Sequence, residues 1–346
     1  DVYKRQALNR AVSAAKLAQE NFKKARETVD SYLTTVSESQ LLTISGVQPL
    51  RQKLLDSARS FYERFVADRS EDVELRAGLA ATYLRLGNLE SDLRNSDQSK
   101  EYFAKAEREF AQLVRDGDRS PATLRQLAEV YFRQDNVTRT VTLCNEVLRN
   151  HPDDHETQVL LANAYNTIGV NSGDQAQVLD INRKALAIRR RLVEQDPTNP
   201  TYLGDISSTI NTTGVLLSQE GERAQGLEMY RHADGYIESA FALAPYSMLY
   251  GRFAATTQRN IAITASDLGF KDEAVEYYHT VSETWNSLAI NNPRITSYNT
   301  QRYRALQQLA SYQQQLELTE EATKTFRLAR QSIENLPQEQ PDDLYT

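Results

Sequence analysis

The densest group of side chains that could do chemistry is HPDDHE, residues 151–156. Its imidazole and carboxylate groups are of the kind that bind zinc or calcium, so an open metal site is one interpretation. The other is structural, because Pro152 marks a turn between helices. An Asp after such a turn caps the next helix with its side-chain oxygen and interacts favourably with the helix dipole. We predict a helix cap and no metal site, with a metal-binding sensor as the alternative.

Other reactive groups are sparse. Cys144 is the single cysteine, which excludes an intrachain disulfide, and the helical pattern places it at a buried core position. The run RRR at residues 189–191 lies within a helical segment, where consecutive side chains point in different directions. It therefore predicts a solvated helix face and not an anion site. Four histidines provide no Ser/His/Asp or Cys/His arrangement, and we predict no cofactor.

Composition and charge exclude several classes of protein. The 346 residues include 13 Gly and 9 Pro, which is few for this length and typical of a helical chain. The net charge of −7 and pI near 5.4 provide no electrostatic reason to bind nucleic acid or an anionic membrane. No uncharged apolar run approaches the roughly 18 residues that span a bilayer, so no membrane insertion is predicted within this chain.

A short helical motif recurs along the chain. LANAYNTIG begins at Leu161, and related stretches begin with a large apolar residue followed by Ala. The motifs start at Leu79, Leu127, Leu161, Thr213, Ile261 and Leu309, so the intervals are 48, 34, 52, 48 and 48 residues. The excess of 14 over 34 is close to four helical turns at about 3.6 residues per turn. We therefore predict helical hairpins in which both helices are two turns longer than in the shortest unit.

The 34-residue interval and its residue pattern resemble the tetratricopeptide repeat family. Leu127, Ala128 and Tyr131 match the first helix of that repeat, while Thr140 and Cys144 depart from its second helix. The resemblance implies an all-α fold, a right-handed superhelical solenoid of about six hairpins, several elongated, over residues 70–337. Glycines that follow the motif are expected where the first helices end, at Gly87, Gly169, Gly221 and Gly269.

The region before the repeats reads as two helices. Residues 7–36 contain apolar residues every seven positions, and a second amphipathic helix is predicted from Leu50 to Arg69. Residues 7–69 thus form a predicted helical stalk, whose first helix either docks on the repeats or self-associates as a homodimer. DVYKRQ at residues 1–6 lies outside the helical pattern and is interpreted as non-native. Residues 338–346 are predicted to be a disordered tail.

A narrower resemblance covers residues 7–90. NFKKARETVDSYL, GVQPLRQKLLDSARSFYERF and ELRAGLAATYLRLG are similar to the segment that follows the membrane span in planctomycete-type serine/threonine protein kinases. This implies that the chain is the partner-binding, extracytoplasmic part of a longer membrane-anchored kinase. The chain itself has no Gly-rich loop, His-Arg-Asp loop or Asp-Phe-Gly motif, so we predict that it is not an enzyme.

The family resemblance also implies a groove lined by the first helix of each hairpin. Mapping the positions that face away from the second helix selects a set of mostly Arg and Asn residues, suited to a carboxylate or an acidic peptide. The set is Arg85, Arg125, Glu129, Arg133, Asn163, Asn166, Asn211, Arg259, Arg304 and Gln307.

The resulting hypothesis is a non-catalytic scaffold that binds a peptide or protein partner. Two alternatives stay open on the residues alone. One is a stand-alone adaptor without a kinase, and the other is a sensor for a small molecule or metal.

Overall fold

The structure is a computed structural model that describes residues 48–68, 72–92, 95–171, 175–245, 247–292 and 295–334, together with Lys24 and Thr28. The predicted non-native end, the 7–36 helix and the 338–346 tail lie outside these ranges, apart from those two residues. The described residues are helices and short turns, and they contain no strand. The predicted all-α helical repeat fold is therefore confirmed.

Thirteen helices have described bounds. They are α1 (Gln48–Asp68), α2 (Val73–Asp92), α3 (Ser96–Arg115), α4 (Pro121–Arg133), α5 (Val137–Asn150), α6 (His155–Asn171), α7 (Gln175–Gln195), α8 (Pro200–Gln219), α9 (Arg223–Leu243), α10 (Met248–Asp267), α11 (Lys271–Asn291), α12 (Thr296–Gln315) and α13 (Thr319–Glu334). After α1, each even-numbered helix is the first of a hairpin and the following odd-numbered helix is the second.

The chain divides into two compact units, residues 1–160 and 161–346. The first contains α1 and the hairpins α2/α3 and α4/α5. The second contains α7 and the hairpins α8/α9, α10/α11 and α12/α13, while the division falls within α6. Within each unit, helices that follow one another pack together.

Hairpin α8/α9 shows how two helices approach closely. The hydroxyl of Ser207 donates to the carbonyl of Ala233 at 2.8 Å. Toward the turn, a Cβ built on Gly214 would lie 3.0 Å from the carbonyl oxygen of Gly226. Ser207 comes before Gly214 in α8, whereas its partner Ala233 comes after Gly226 in α9. The two helices are therefore antiparallel. Glycines allow the backbones to approach at this crossing, where a side chain would collide with the opposite helix.

Helix length differs between the short and long hairpins as the sequence predicts. Helices α4 and α5 have 13 and 14 residues, whereas α8 and α9 have 20 and 21. The extra residues are therefore about two turns on each helix and not an inserted loop. In the short hairpin the predicted core residues are buried: Leu127, Ala128, Tyr131, Thr140, Cys144 and Val147.

The hairpins of the second unit repeat every 48 residues. Helices α7, α9, α11 and α13 begin at 175, 223, 271 and 319, and α6, α8, α10 and α12 end at 171, 219, 267 and 315. Tyr165 is therefore the equivalent of Thr213, and the 52-residue interval predicted from Leu161 was wrong by one helical turn. The repeated motif misaligned because Leu161 and Tyr165 both lie on the same, apolar side of α6.

Two of the predicted turn glycines end a helix and two do not. Gly221 and Gly269 follow α8 and α10 with φ of 94° and 82°, a left-handed conformation that glycine adopts without strain. Gly87 and Gly169 instead lie inside α2 and α6, so that part of the prediction was wrong. At Gly87 an added Cβ would lie 2.5 Å from the ring of Phe103, which shows that close packing and not a turn requires glycine there.

Polar side chains begin several helices. The Ser120 hydroxyl accepts from the backbone N–H of Thr123 ahead of Pro121, and Asn199 caps α8 in the same way ahead of Pro200. Among the described residues, no helix is long and apolar enough to cross a membrane.

Candidate partner-binding surface

The ten residues predicted to line a groove all lie on first helices, and none is buried. They are Arg85 on α2, Arg125, Glu129 and Arg133 on α4, Asn163 and Asn166 on α6, Asn211 on α8, Arg259 on α10, and Arg304 and Gln307 on α12. Asn163, Asn211, Arg259 and Gln307 are 48 residues apart and occupy the same position in successive hairpins. Their hydrogen bonds within the protein separate the ten residues into two groups.

The first group consists of three arginines. Arg85, Arg259 and Arg304 form no hydrogen bond or ion pair with any residue that the structure describes. Arg259 and Arg304 are also exposed to solvent. Their guanidinium donors are therefore available to a ligand, and a planar guanidinium matches the two oxygens of a carboxylate.

Arg125 belongs to the second group, because it is bonded to the HPDDHE segment. Its guanidinium pairs with Asp154 and with Glu156, each at 2.8 Å. Asp154 also accepts from the backbone N–H of Thr157 at 2.9 Å, which caps α6. The predicted helix cap is present, and Arg125 joins it to α4.

The charge balance at this cap is favourable. Burial alone would raise the pKa of the Asp154 carboxyl. Hydrogen bonds from Thr157 and the nearby charge of Arg125 outweigh burial and hold that pKa below its usual range. The described residues contain no group of three or more His, Cys, Asp or Glu arranged to hold a metal ion.

Other predicted groove residues link neighbouring first helices. The Asn88 amide on α2 donates to the Glu129 carboxylate on α4 at 3.2 Å, and Arg133 lies 3.6 Å from the same carboxylate. In the second unit, the Asn260 amide on α10 donates to Asn211 on α8 at 3.1 Å. These amide and carboxylate groups hold successive hairpins in register.

Gln307 bonds within its own helix, since its amide donates to the Tyr303 hydroxyl one turn earlier at 2.7 Å. It therefore stiffens the exposed face of α12 and retains its carbonyl oxygen for other contacts.

Asn163 and Asn166 both accept from Arg189, a buried arginine on α7. Arg189 is 3% exposed and donates from Nη2 to Asn163 Oδ1 at 2.7 Å. With its amide oxygen facing the guanidinium, Asn166 accepts at 2.9 Å. On the other side, Arg189 donates from Nη1 to the backbone carbonyl of Asp205 at 2.6 Å and to the Thr209 hydroxyl. One side chain thus joins α6, α7 and α8.

Burial of Arg189 affects the pKa of its guanidinium and of a neighbouring carboxyl. Burial lowers the pKa of the Arg189 guanidinium, while the charge of Asp205 opposes that effect. Burial also raises the pKa of the Asp205 carboxyl. The Arg189 Nε has no hydrogen-bond partner among the residues that the structure describes.

The prediction that residues 189–191 form a solvated face was wrong for Arg189 and right for Arg190 and Arg191, which are exposed. A signal was present in the sequence: Ile237 and Trp285 lie 48 and 96 residues later, so Arg189 occupies a position that is apolar in the following hairpins.

A second buried polar cluster joins α9, α10 and α11. Asp234 is 4% exposed, and its Oδ1 has no hydrogen-bond partner. Burial and the charge of Glu238 raise the pKa of Asp234 to about 7, against hydrogen bonding from Tyr277 and Gln258. Gln258 is oriented by Thr284, whose hydroxyl donates to the Gln258 amide oxygen at 2.9 Å. No motif in the sequence identifies this cluster.

Cys144 is fully buried, as predicted, and burial raises the pKa of its thiol to about 12. A thiol with that pKa carries almost no thiolate near neutral pH, so Cys144 packs as a small apolar residue.

Charge is unevenly distributed in the second unit. The first helices α8, α10 and α12 together contain four arginines and two aspartates. The second helices α7, α9, α11 and α13 contain eleven basic and twelve acidic residues. The first helices α8, α10 and α12 are therefore slightly basic in a chain whose net charge is −7.

Solved structures with a similar fold include tetratricopeptide repeat proteins. The chain aligns with the C-terminal part of a tetratricopeptide-repeat-containing protein from Cytophaga hutchinsonii, with a TM-score of 0.52 and 11% identity, covering 85% of this chain and 94% of that one. A thermophilic tetratricopeptide protein from Thermus thermophilus aligns with a TM-score of 0.39 and 16% identity, covering 66% and 98%. BtubC from P. vanneervenii aligns with a TM-score of 0.47 and 13% identity, covering 69% and 91%.

No family model and no curated protein sequence matches the chain. At these low identities, the likeness to the Cytophaga hutchinsonii structure defines the fold class, an all-α helical repeat of the tetratricopeptide type.

Proposed function

We propose that the chain is a non-catalytic protein-interaction scaffold whose first helices bind an acidic segment of a partner. The observation that carries this proposal is the state of Arg259 and Arg304. Both are exposed on neighbouring hairpins of the second unit, and neither bonds to a described residue. The other polar groove residues, Arg85 apart, are bonded within the protein, either to a neighbouring helix or within their own helix.

The chemistry of the partner follows from those two side chains. A guanidinium binds a carboxylate with two parallel hydrogen bonds, and it stays charged at any physiological pH. Position 259 corresponds to 307 in the next hairpin, so Arg259 and Arg304 are offset by about one helical turn along adjacent first helices. An extended segment with two or more Asp or Glu residues fits that spacing.

Selection from a displayed library of random peptides tests the proposal. Purified wild-type protein is expected to enrich peptides rich in Asp and Glu, and the bound peptides are expected to dissociate as salt is raised. Enrichment of no peptide, or of basic peptides, would contradict the proposal.

A matched pair of variants locates the site. Arg259→Glu with Arg304→Glu is expected to lose the selected peptides. Arg190→Glu with Arg191→Glu makes the same charge change on exposed residues of α7, a second helix, and is expected to retain them.

The resemblance over residues 7–90 supports a finer proposal: the chain is the partner-binding region of a membrane-anchored serine/threonine kinase, outside the cytoplasm. In such a parent, dimerisation through residues 7–36 would bring two kinase domains together. Sequence upstream of residue 7 tests this directly, since a membrane span and kinase motifs support it and their absence supports a stand-alone adaptor. Sedimentation with and without residues 7–36 tests the dimer.

A further inference from the structure

Five large apolar side chains are exposed at the same end of the second unit. We refer to them as the apolar edge: Leu243 (51% exposed), Met248 (38%), Leu249 (57%), Phe253 (39%) and Ile290 (68%). Isolated exposed apolar residues are common on protein surfaces, but several together are characteristic of an interaction site.

Helix packing places these residues at one end. Leu243 is the last residue of α9 and Met248 is the first of α10, so they flank the turn between those helices. Helices α10 and α11 are antiparallel, and a Cβ built on Gly251 would lie 2.6 Å from the Leu288 side chain. Leu249 and Ile290, two residues from that contact on each helix, therefore lie at the same end as the turn.

On α10 itself, Leu249 and Phe253 share one face. They are four residues apart, about one helical turn. Tyr250 points elsewhere, since its ring lies 2.7 Å from a Cβ built on Gly204 of α8. The packing of the hairpin is thus made by Tyr250, Gly251 and their neighbours, and not by the residues of the apolar edge.

The 48-residue repeat shows that the fold does not require apolar residues at these positions. The equivalents in the flanking hairpins are polar or small at nearly every position. They are Gln195 and Asn291 for Leu243, Pro200 and Thr296 for Met248, Thr201 and Ser297 for Leu249, Asp205 and Gln301 for Phe253, and, for Ile290, Ala242 in the preceding hairpin and Glu194 in the one before it. The apolar edge is therefore a property of one hairpin junction.

One cation lies among the residues of the apolar edge. Within the described parts of residues 239–253 and 284–292, Arg252 is the one charged residue, and it is exposed, while the exposed Glu238 and Glu283 directly precede the two ranges. Its equivalents in the flanking hairpins are Gly204 and Thr300, so the arginine is as specific to this junction as the apolar side chains.

We propose that the apolar edge docks an amphipathic segment of a partner protein, with its apolar side chains on Leu249 and Phe253 and a carboxylate on Arg252. This surface rests on the proposed protein-binding function and adds a second contact to it, near the start of α10 and about two helical turns before Arg259. The apolar area supplies affinity, and the single guanidinium selects an acidic residue beside the apolar ones.

Charge argues against two other possible occupants of the apolar edge, a second copy of the chain and an anionic membrane. A symmetric dimer with its two-fold axis near Arg252 would bring two guanidinium groups together, and their repulsion opposes that arrangement. Anionic membranes are bound by several clustered basic residues, each contributing about 1 kcal/mol, and here there is one.

The test uses substitutions that the repeat already accommodates. Leu249→Ser, Phe253→Gln and Ile290→Ala together replace three of the five residues of the apolar edge with the residues found at 297, 301 and 242. This triple variant is expected to keep the helical content and unfolding midpoint of the wild type. Arg252→Thr, the residue found at 300, removes the cation alone.

The probe is a displayed library of amphipathic helical peptides that combine Leu and Phe with Asp, Glu, Lys or Ser. Peptides selected on the wild type are expected to carry Asp or Glu beside the apolar residues. They are expected to bind the triple variant at least about tenfold more weakly, which is the affinity of roughly one well-buried side chain. Arg252→Thr is expected to weaken the binding of acidic peptides. The binding of counterparts with Ser in place of Asp or Glu is expected to stay unchanged.

Three outcomes overturn this proposal. Selected peptides that bind the triple variant as tightly as the wild type, yet are lost in Arg259→Glu with Arg304→Glu, overturn the apolar edge and leave the proposed function standing. Concentration-dependent dimerisation that the triple variant abolishes identifies a second copy as the occupant. Binding to phosphatidylserine vesicles that the triple variant abolishes identifies a lipid surface.

Discussion

Nη2 of Arg189 donates to Oδ1 of Asn163 across 2.7 Å, joining the second helix α7 to the first helix α6. The same guanidinium bonds to the carbonyl of Asp205 on α8. An arginine that is 3% exposed has lost its hydration, and its contacts with amide and carbonyl oxygens replace that hydration. The register of three helices thus depends on one charged side chain.

Arg189→Ala is expected to destabilise the second unit by about 3 kcal/mol, since it leaves buried oxygens without a donor and opens a cavity. Arg189→Ile is expected to cost less, because an apolar side chain fills the space and Ile237 occupies the equivalent position of the next hairpin. Urea unfolding followed by far-UV circular dichroism measures both.

The control for that prediction is Arg190→Ala, which changes an exposed neighbour on the same helix. It is expected to alter the free energy of unfolding by less than about 0.5 kcal/mol. Equal effects of Arg189→Ala and Arg190→Ala would mean that the buried guanidinium has no special role.

The raised pKa of Asp234 predicts that the protein loses stability as the pH rises. Its pKa is raised to about 7 in the folded protein, from about 3.9 in an unfolded chain. The folded state therefore binds the proton more tightly, so the contribution to stability is complete below about pH 4 and lost as the pH rises to about 7. Asp234→Asn keeps the shape without the charge, and is expected to be more stable than the wild type at about pH 8 by a few kcal/mol.

Glu238→Gln provides the control for the charge effect. The Glu238 carboxylate contributes to the raised pKa of Asp234, so its removal is expected to shift the pH-dependent loss of stability to lower pH. Unfolding free energies measured from about pH 4 to pH 8 distinguish the three proteins. Identical pH profiles for wild type and Asp234→Asn would show that Asp234 does not titrate in this range.

Replacement by Ala is expected to change the stability of the protein in opposite directions at Gly226 and Gly235. A Cβ on Gly226 would lie 2.2 Å from the Ser218 hydroxyl and 2.9 Å from the Gly214 carbonyl, so Gly226→Ala is expected to cost about 1–3 kcal/mol. Gly235 lies on the same helix with nothing within 4 Å of its added Cβ. Gly235→Ala is expected to stabilise the protein by up to about 1 kcal/mol through helix propensity. Thermal unfolding of both variants checks the close approach of α8 and α9.

Asp153 and Asp154 are adjacent in sequence but differ in their contacts at the start of α6. Asp154 bonds to Thr157 and Arg125, whereas Asp153 is exposed. Asp154→Ala is expected to cost about 1–2 kcal/mol and Asp153→Ala close to nothing. A metal site would instead require that the wild type binds zinc and that both variants bind it more weakly, which isothermal titration calorimetry measures.

The lengths of the helices could be predicted because the sequence marks their ends. Prolines and capping residues such as Ser120 and Asn199 stop one helix and start the next. The intervals between motifs give the number of turns between them, except at Leu161, where the motif was aligned one turn too early. Whole-turn additions leave the apolar face in register, so elongated hairpins keep the packing of short ones.

What the sequence could not provide is the use made of individual polar residues. A run of three arginines is compatible with a solvated face until the positions of α6 and α8 are known, and only then is Arg189 seen to be buried. The predicted groove positions lie on first helices, but bonds such as that between Asn211 and Asn260 depend on the distance between helices from different hairpins. Likewise, the sequence alone does not show that the residues of the apolar edge are exposed, because this depends on the 48-residue register of the helices.

The central claim is that unpaired arginines on the first helices bind an acidic partner segment. Isothermal titration calorimetry with one selected acidic peptide tests it most directly. Wild type and Arg190→Glu with Arg191→Glu are predicted to bind alike, and Arg259→Glu with Arg304→Glu at least about tenfold more weakly. Equal affinity for all three proteins would contradict the claim.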